Sequence, residues 1–223
     1  MIEAIGVSLK YPDGTLALED INLKFDSGEM VFITGPSGSG KTSLLKLIMG
    51  AEYPTTGSLT VLGQAIIKGQ DISLRRMRTK IGPVFQDFRL IRGRTVMENV
   101  LLGMRFLNFR PEELKKNADE ALERVGLKHK AASLVENLSW GECQRVAIAR
   151  AVARKPALIL ADEPTGNLDL ANALKILELL ESFKDRNTTV IITTHATHLI
   201  SGTNEVRLLH VNKGRISAGE RLG

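Results

Sequence analysis

The chain has 223 residues, of which 43% are hydrophobic, and this size and composition allow one sizeable soluble domain. No uncharged apolar run reaches about 18 residues, and the first five residues lack the basic and apolar parts of a secretory signal. The single cysteine, Cys143, excludes an internal disulfide. We therefore expect a cytosolic protein without a membrane-spanning helix.

The net charge of +5 is compatible with a nucleic acid or an anionic lipid surface as a partner. Basic residues are dense between Lys68 and Arg94, but such a run is equally typical of a solvated surface. Aromatic residues make up only 4% of the chain and are not interleaved with this run. A platform that stacks single-stranded bases is therefore disfavoured.

The N-terminal part of the chain predicts strands of two kinds, followed by a helix. Residues 5–9 and 18–25 alternate in part between apolar and polar, as half-exposed strands do. Residues 30–34 form a continuous apolar run, which is typical of a strand buried on both faces of a parallel sheet. Residues 44–49 have helical spacing and lead to Gly50, a residue suited to the position just after a helix.

Residues 35–42, between this apolar run and this helix, match the phosphate-binding pattern G-x-x-x-x-G-K-[ST]. Glycines allow backbone N–H groups to converge on phosphate oxygens, and the helix N-terminus adds a favourable partial charge. In this interpretation Lys41 reaches the β- and γ-phosphates of a nucleotide and the Thr42 hydroxyl binds Mg²⁺. The predicted nucleotide-binding residues here are Gly35, Pro36, Ser37, Gly38, Ser39, Gly40, Lys41, Thr42 and Ser43.

The C-terminal half alternates helical segments with two further apolar runs. Pro111 suits the first position of a helix that extends to Gly126, and a leucine stripe predicts a second helix over residues 170–183. Residues 157–161 and 189–193 are continuous apolar runs and predict two more buried strands. We therefore predict one α/β domain over residues 1–223, with a helical insertion at about residues 87–156.

Each of these two runs ends in residues that could act on a nucleotide, because open α/β sheets bind ligands at the carboxyl ends of their strands. Asp162 is suited to hold Mg²⁺, and Glu163 is the candidate for polarising the attacking water. Adjacent acids are often only surface charges, but a buried strand with a phosphate loop upstream favours the catalytic interpretation. His195 closes the strand predicted at residues 189–193, where its imidazole could contact the γ-phosphate.

Further motifs resemble those of the ATP-binding cassette (ABC) ATPases. The pentapeptide at residues 138–142, which reads Leu-Ser-Trp-Gly-Glu, resembles the family's LSGGQ signature, and residues 144–151 resemble the helix that follows it. Gln86 matches the Q-loop, residues 166–169 match the D-loop and His195 matches the H-loop. Tyr11 matches the aromatic residue that stacks on adenine. The order and spacing of these motifs agree with the family over nearly the whole chain.

The resemblance implies a P-loop NTPase core with a parallel sheet, an N-terminal antiparallel β subdomain and an inserted α-helical subdomain. It implies ATP and Mg²⁺ as cofactors, and a head-to-tail dimer of two copies in which each ATP meets the signature motif of the other copy. The residues that it assigns to catalysis are Glu163, His195 and Gln86, and those around the metal are Thr42, Gln86 and Asp162. The remaining nucleotide-binding residues that it assigns are Tyr11, Ser139, Gly141, Glu142 and Asp169.

Within the family, residues 75–100 are most similar to the branch that serves bacterial cell division. Residues 161–169 fit as well, but they are shared with the lipoprotein-releasing and macrolide-exporting branches. The resemblance therefore implies an ATPase at the inner face of the plasma membrane, bound to an integral membrane partner. The motor of an exporter or importer is the alternative. A nucleic-acid partner is not expected, since the chain has neither a second cassette nor a long coiled-coil insertion.

Three positions depart from the family pattern. Trp140 stands where the signature motif usually has glycine, and we expect its ring to alter closure of the dimer. We still expect hydrolysis, but at a slow rate. Cys143 replaces a common glutamine, and we interpret it as a small buried residue. Ala196 follows His195 where many relatives have aspartate. None of these changes removes a predicted site group.

Overall fold

The computed structural model describes residues 1–200 and 206–222. The chain divides into two compact units, one formed by Met1–Arg78 with Lys184–Gly223 and the other by Thr79–Phe183. In chain order the elements are β1 Ile2–Lys10, β2 Leu16–Phe25, β3 Met30–Thr34, α1 Lys41–Ile48, β4 Thr56–Val61, β5 Gln64–Ala65, α2 Asp71–Thr79, β6 Ile81–Val84, α3 Val96–Leu102, α4 Pro111–Arg124, α5 Trp140–Val152, β7 Leu158–Asp162, α6 Leu170–Glu181, β8 Thr189–Thr194, β9 Val206–Asn212 and β10 Arg215–Leu222.

The first unit contains an N-terminal antiparallel sheet with the strand order β2-β1-β4-β5. Val7 and Leu9 are buried, as the alternating pattern predicts, but Ile5 is 58% exposed. The pairing of β1 with β2 shifts register between Ala4 and Val7, where Gly6 has a φ of 59°. A bulge of this kind changes which face the next side chain points to, and the simple alternation therefore fails at Ile5.

The same unit also contains the strands that carry the phosphate loop. β3 pairs in parallel with β8 on one side and with β9 on the other, and β10 is antiparallel to β9. Every residue of β3 and of β8 is buried, which explains why both segments are continuously apolar rather than alternating. Thr34 at the end of β3 lies opposite Thr194 at the end of β8, so Gly35 and His195 leave the sheet side by side.

The second unit combines a parallel strand pair with four helices. β6 pairs in parallel with β7, and α5 packs against α3, α4, α6 and β6. The predicted strand at residues 157–161 begins and ends one residue later in the structure. Pro111 occupies the start of α4 as predicted, and Gly126 follows the helix with a φ of 72°.

The α/β class, with parallel strands, an N-terminal antiparallel sheet and helices, is confirmed. The predicted helical insertion at about residues 87–156 falls within the second unit, and its boundaries stay a prediction. No helix in the described part of the chain is long and apolar enough to cross a membrane.

Candidate functional site

The phosphate loop follows β3 directly and depends on three glycines with left-handed backbone conformations. Gly35, Gly38 and Gly40 have φ values of 144°, 75° and 112°. A Cβ at Gly35 would lie 2.1 Å from the carbonyl oxygen of Val211, and one at Gly40 would lie 2.6 Å from that of Ala17. Gly35 and Gly40 therefore combine an unusual φ with close backbone neighbours, so a side chain at either residue would distort the loop.

The Lys41 side chain of the loop is turned towards the loop's own backbone. Lys41 is only 4% exposed, and its ammonium group donates to the carbonyl oxygens of Gly35 at 2.8 Å and Pro36 at 3.1 Å. The Ser39 hydroxyl oxygen is buried and has no hydrogen-bond partner among the residues that the structure describes. Gly40 is the N-cap of α1 and provides no side-chain cap to the helix. A concave loop of this type, at a helix N-terminus and with a buried ammonium group, is suited to a phosphate group.

Tyr11 lies beside the helix that follows the loop. Its hydroxyl group is 3.1 Å from the Ser43 hydroxyl, and the Lys46 ammonium group is 5.9 Å from the centre of its ring. The structure therefore brings Tyr11 and Ser43, both predicted nucleotide-binding residues, into contact. The stacking of Tyr11 on adenine stays a prediction.

His195 is the first residue after β8, and its side chain is exposed. Its carbonyl oxygen accepts a hydrogen bond from the amide of Thr197, and the Thr194 hydroxyl accepts one from the amide of Ala196. These bonds hold the backbone in a tight turn at the carboxyl end of the strand. His195 therefore shares one sheet edge with Gly35, as the sequence predicts.

In the second unit, Gln86 and Asp162 line one cavity of about 410 Å³. Asp162 ends β7, and Gln86 lies two residues beyond the end of the neighbouring parallel strand β6. Val84 pairs with Ala161, so Gln86 and Asp162 lie at the same edge of this strand pair. The remaining lining residues are Phe85, Asp87, Arg89, Trp140 and Asn167.

Glu163 begins a strained turn directly after β7. Its φ is 45° and that of Asn167 is 62°, both in the left-handed region that residues with a Cβ rarely adopt. The Glu163 carbonyl accepts a hydrogen bond of 3.1 Å from the amide of Gly166. Backbone strain of this kind persists only where the surrounding structure holds it in place. It is often found at functional sites.

Ser139 is the N-cap of α5, and Glu142 completes a capping box with it. The Ser139 hydroxyl accepts from the amide of Glu142, and a Glu142 carboxylate oxygen accepts from the amide of Ser139 at 2.9 Å. The other carboxylate oxygen is 2.5 Å from the Lys130 ammonium group. Lys130, and after it the bond from Ser139, lower the pKa of Glu142 from 4.5 to about 2. In the structure Glu142 thus stabilises the helix start, and its contact with a nucleotide stays a prediction.

Three further residues in or next to the signature motif and the D-loop-like turn lie close to the start of a helix, namely Gly141, Cys143 and Asp169. A Cβ at Gly141 would lie 3.8 Å from Leu168, so the signature glycine is next to the D-loop-like turn at residues 166–169. Asp169 is the N-cap of α6, and a bond from the amide of Asn172 lowers the pKa of its carboxyl group. Cys143 is half-buried rather than buried as we expected, and burial raises the pKa of its thiol.

Sequence reasoning did not identify the residues that connect these turns. The Trp140 ring contacts the Phe88 ring edge to face, with 4.6 Å between centroids, and its indole N–H donates to the carbonyl of Gly166 at 3.2 Å. Arg150 donates to the carbonyl oxygens of Phe88 and Arg89. Trp140 stood out in the sequence as a departure from the signature motif. Phe88 and Arg150 lay within segments that resemble the family, but their contacts with each other's segments were not predicted.

The model of the ABC transporter family matches residues 18–166. A Mycobacterium tuberculosis protein named Cell division ATP-binding protein FtsE is 42% identical over 207 residues, which are 93% of this chain and 90% of that protein. A protein of the same name from Escherichia coli K12 is 41% identical over 98% of both chains. The Bacillus subtilis protein of that name is 38% identical over the whole of this chain and 97% of its own.

Solved structures agree with these relatives. The dimeric ATP-binding cassette MJ0796, in a post-hydrolysis state bound to ADP and Pi, superposes with a TM-score of 0.88 at 36% identity, covering 100% of this chain and 99% of that one. The cbiO1 protein of Clostridium perfringens, part of the ABC transporter complex cbiONQ, superposes with a TM-score of 0.87 at 30% identity, covering 97% and 86%.

Proposed function

This chain belongs to the ABC transporter family and is an ATPase, and we propose that its ATPase cycle serves bacterial cell division together with an FtsX-like integral membrane protein. The observation that carries the proposal is the set of relatives named Cell division ATP-binding protein FtsE. They are 37–42% identical to this chain and extend over at least 90% of both chains. In this role the chain is a cytoplasmic subunit, held at the inner face of the plasma membrane by its partner.

The phosphate loop of the first unit binds the phosphates of ATP in this proposal. Lys41 exchanges its bonds to the Gly35 and Pro36 carbonyls for bonds to the β- and γ-phosphates, and the buried Ser39 hydroxyl gains a partner. Tyr11 stacks on the adenine ring, and its contact with Ser43 ties it to the start of α1. The preformed loop lowers the conformational cost of binding, because its glycines already have the required backbone angles.

Magnesium fits the oxygen donors assigned to it, which are the Thr42 hydroxyl, the Gln86 amide oxygen and the Asp162 carboxylate. Gln86 and Asp162 line one cavity, which supports their assignment to a common role. The described residues contain no group of three or more His, Cys, Asp or Glu side chains that could hold a metal ion by themselves. A bound Mg²⁺ would complete its coordination with phosphates and water, and it would neutralise the charge that develops on the transferred phosphoryl group.

Hydrolysis needs a base for the attacking water, and we assign this role to Glu163. Its carboxylate takes a proton from the water as the water oxygen attacks the γ-phosphorus. The bond from that phosphorus to the bridging oxygen breaks, and ADP and phosphate leave. Gln86 orients the water, and His195 donates a hydrogen bond to the γ-phosphate.

The second copy of the chain supplies Ser139 and Gly141 to each ATP in this proposal. Ser139 is the exposed N-cap of α5, so the partial positive charge of this helix end lies beside it. The dimeric state of the MJ0796 cassette supports this arrangement, since that chain is 36% identical to this one.

The surface for the membrane partner is formed by residues 88–94 and the cavity beside them. Ile91 is 50% exposed within this segment. The cavity has a volume of about 120 Å³, and three arginine side chains, Arg89, Arg150 and Arg154, contribute to its lining. Burial, and then the charge of Arg89, lowers the pKa of Arg150. An acidic segment of the partner would therefore relieve the repulsion between these guanidinium groups.

Co-purification tests this function. We expect the chain to be recovered with a co-expressed FtsX-like membrane protein, and the Ile91→Asp variant to lose this association. Ile72→Asp is the matched control, because Ile72 is 73% exposed on α2, outside the proposed surface. Recovery of both variants in equal amounts would contradict the assigned surface. Recovery of the chain in a substrate-binding importer complex instead would contradict the cell-division role.

A transporter motor is the second candidate, and the cbiO1 likeness at 30% identity favours it, since that protein is part of a transporter complex. Lipoprotein release, macrolide-type export and solute import all fit the same ATPase. The two candidates differ in the membrane protein that the chain binds in its own cell, and the co-purification experiment therefore separates them.

A further inference from the structure

Trp140 connects three segments of the second unit. It is the first residue of α5, its ring packs on Phe88 after the Q-loop-like Gln86, and its N–H group binds the carbonyl of Gly166 in the D-loop-like turn. Phe88 is buried to 9% exposure, whereas Trp140 is 46% exposed. The indole therefore forms a cover over the Phe88 ring and at the same time a bridge to the turn at Gly166.

The two turns that Trp140 contacts carry four of the five residues of this unit that combine a side chain with a positive φ, the fifth being Lys155. Phe88 and Arg89 have φ values of 57° and 48°, and Glu163 and Asn167 have values of 45° and 62°. Phe88, Arg89 and Glu163 persist in this conformation only where neighbouring contacts hold them, because it is unfavourable for their side chains, whereas asparagine tolerates it better. Loss of one of these contacts is expected to let the turns move.

The catalytic candidates are attached to the same turns. The amide of Gly166 donates to the Glu163 carbonyl, so the residue that Trp140 binds also fixes the backbone of Glu163. A Cβ on Gly166 would be 3.8 Å from the amide nitrogen of Gln86, so the Gln86 side chain lies against the same glycine. Trp140 is also part of the lining of the cavity that contains Gln86 and Asp162.

Arg150 holds the other end of the Phe88 turn. It lies near the C-terminal end of α5, and its guanidinium group donates to the carbonyls of Phe88 and Arg89. Helix α5 thus contacts this turn at two points, through the Trp140 ring at its first residue and through the Arg150 guanidinium group about three turns later. A shift of the turn is therefore expected to move α5 as a body, together with its N-cap Ser139.

We propose that Trp140 is a positioning residue, whose indole locks the turns that carry Gln86 and Glu163 to the N-terminal end of α5. Through it, displacement of residues 88–94 changes the placement of Gln86, of Glu163 and of the signature residues Ser139 and Gly141 together. The inference rests on the proposed function, since it assigns Trp140 a role in ATP turnover. It concerns a residue that stands where the signature motif usually has glycine, and it reverses the expectation from the sequence that the Trp140 ring accompanies slow hydrolysis.

The first test separates turnover from nucleotide binding. We expect Trp140→Gly to lower kcat about tenfold, the size of effect that an aromatic pair and one hydrogen bond can produce together. The KM for ATP should change by less than about twofold, because Trp140 is not among the residues assigned to nucleotide binding. Trp140→Phe keeps a ring against Phe88 and should recover part of the lost kcat. An unchanged or raised kcat in Trp140→Gly would overturn the proposal.

The second test asks whether Trp140 acts through Phe88. Phe88→Ala should also lower kcat. The kcat of the double variant Phe88→Ala/Trp140→Gly should be no lower than that of the less active single variant. Phe106→Ala is the matched control, because Phe106 is 87% exposed. It should behave like the unaltered chain. If the fold-loss of kcat in the double variant equalled the product of the two single fold-losses, the two residues would act independently. That result would overturn the proposed linkage.

The third test needs no change at Trp140 and is therefore insensitive to misfolding of its variants. Trp140 is the only tryptophan of the chain, so intrinsic tryptophan fluorescence reports on this contact alone. In Glu163→Gln, saturation with Mg·ATP should shift the emission and alter its quenching by acrylamide. Emission that stays the same while bound ATP is measured independently would contradict the proposal.

Failure of the proposed function has a different outcome. If the unaltered chain does not turn over ATP, the ATPase role itself fails. If the unaltered chain turns over ATP and the Trp140 variants equal it, only the positioning role of Trp140 fails.

Discussion

Replacing Glu142 by glutamine keeps the size of the side chain and removes the negative charge that links the first turn of α5 to Lys130. The carboxylate accepts from the Ser139 amide at 2.9 Å and pairs with Lys130 at 2.5 Å, with 16% of the Glu142 side chain exposed. Glutamine retains an oxygen that can accept from the Ser139 amide. The substitution therefore isolates the ionic part of this contact.

The expected loss of stability follows from the pKa of the carboxyl group. Lys130 first, and then Ser139, lower this pKa from 4.5 to about 2. That difference corresponds to about 3.4 kcal/mol at about 1.36 kcal/mol for each factor of ten. Solvent screening of a pair in which Lys130 is 33% exposed reduces the effect, and we expect a loss of about 2 kcal/mol at pH 7.

The pH dependence gives the prediction its sign. Because the folded pKa lies below the unfolded value, the unfolded state binds the proton first as the pH falls. The contribution of Glu142 is therefore complete above pH 4.5 and is lost progressively between pH 4.5 and about 2. The difference in the free energy of unfolding between the unaltered chain and Glu142→Gln should be constant near neutral pH and should narrow in this acidic range.

Urea unfolding at a series of pH values, followed by circular dichroism, measures this difference. Glu113→Gln is the matched control, since Glu113 occupies the same capping-box position in α4, but its partner Arg110 is 73% exposed. We expect a smaller loss there. Equal stability of the unaltered chain and Glu142→Gln at pH 7, or a difference that does not narrow on acidification, would refute the reasoning.

Three further predictions concern backbone, cap and thiol. Gly35→Ala should lose about 3 kcal/mol of stability in thermal unfolding and should fail to bind ATP, because its Cβ would lie 2.1 Å from the Val211 carbonyl. Gly38→Ala should lose only about 1 kcal/mol, since no atom of the described residues lies within 4 Å of the Cβ that it adds. Thr95→Ala should lose about 1 kcal/mol in urea unfolding because it removes the cap of α3, and Thr95→Ser should restore it. Alkylation of Cys143 at pH 8 should be slower in the folded chain than in urea, since burial and the Glu142 charge raise the pKa of the thiol, and Glu142→Gln should speed it. Equal alkylation rates in the folded and unfolded chain would contradict the last prediction.

The sequence predicted well those elements whose signal is local. Residues 30–34 are continuously apolar because β3 is buried along its whole length, and the strand has the predicted bounds. Ser139 and Glu142 form the cap of α5, and the helix begins where the signature motif predicts. The motifs also placed Gly35 and His195 at the carboxyl ends of strands, although the pairing that makes these two strands neighbours comes from the structure. In these cases burial or capping depends on residues that are close together in the chain.

Other features depend on residues that are distant in sequence, and no periodicity reports them. Lys130 reaches Glu142 across 12 positions, and Trp140 reaches Gly166 across 26. Part of the basic run has a structural role that composition did not suggest. Arg78 donates to the carbonyls of Met49 and Gly50 and so satisfies the C-terminal end of α1. The left-handed turns at Phe88 and Glu163 likewise result from tertiary contacts rather than from glycine.

ATP hydrolysis by the purified chain and its Glu163→Gln variant, measured together with ATP binding, tests the central claim most directly. The account predicts that the unaltered chain hydrolyses Mg·ATP, and that Glu163→Gln binds ATP, nearly loses turnover and accumulates as an ATP-bound dimer. Lys41→Ala should instead weaken binding itself, because it removes the ammonium group that the loop encloses. Full turnover by Glu163→Gln would contradict the assignment of the base and, with it, the proposed mechanism.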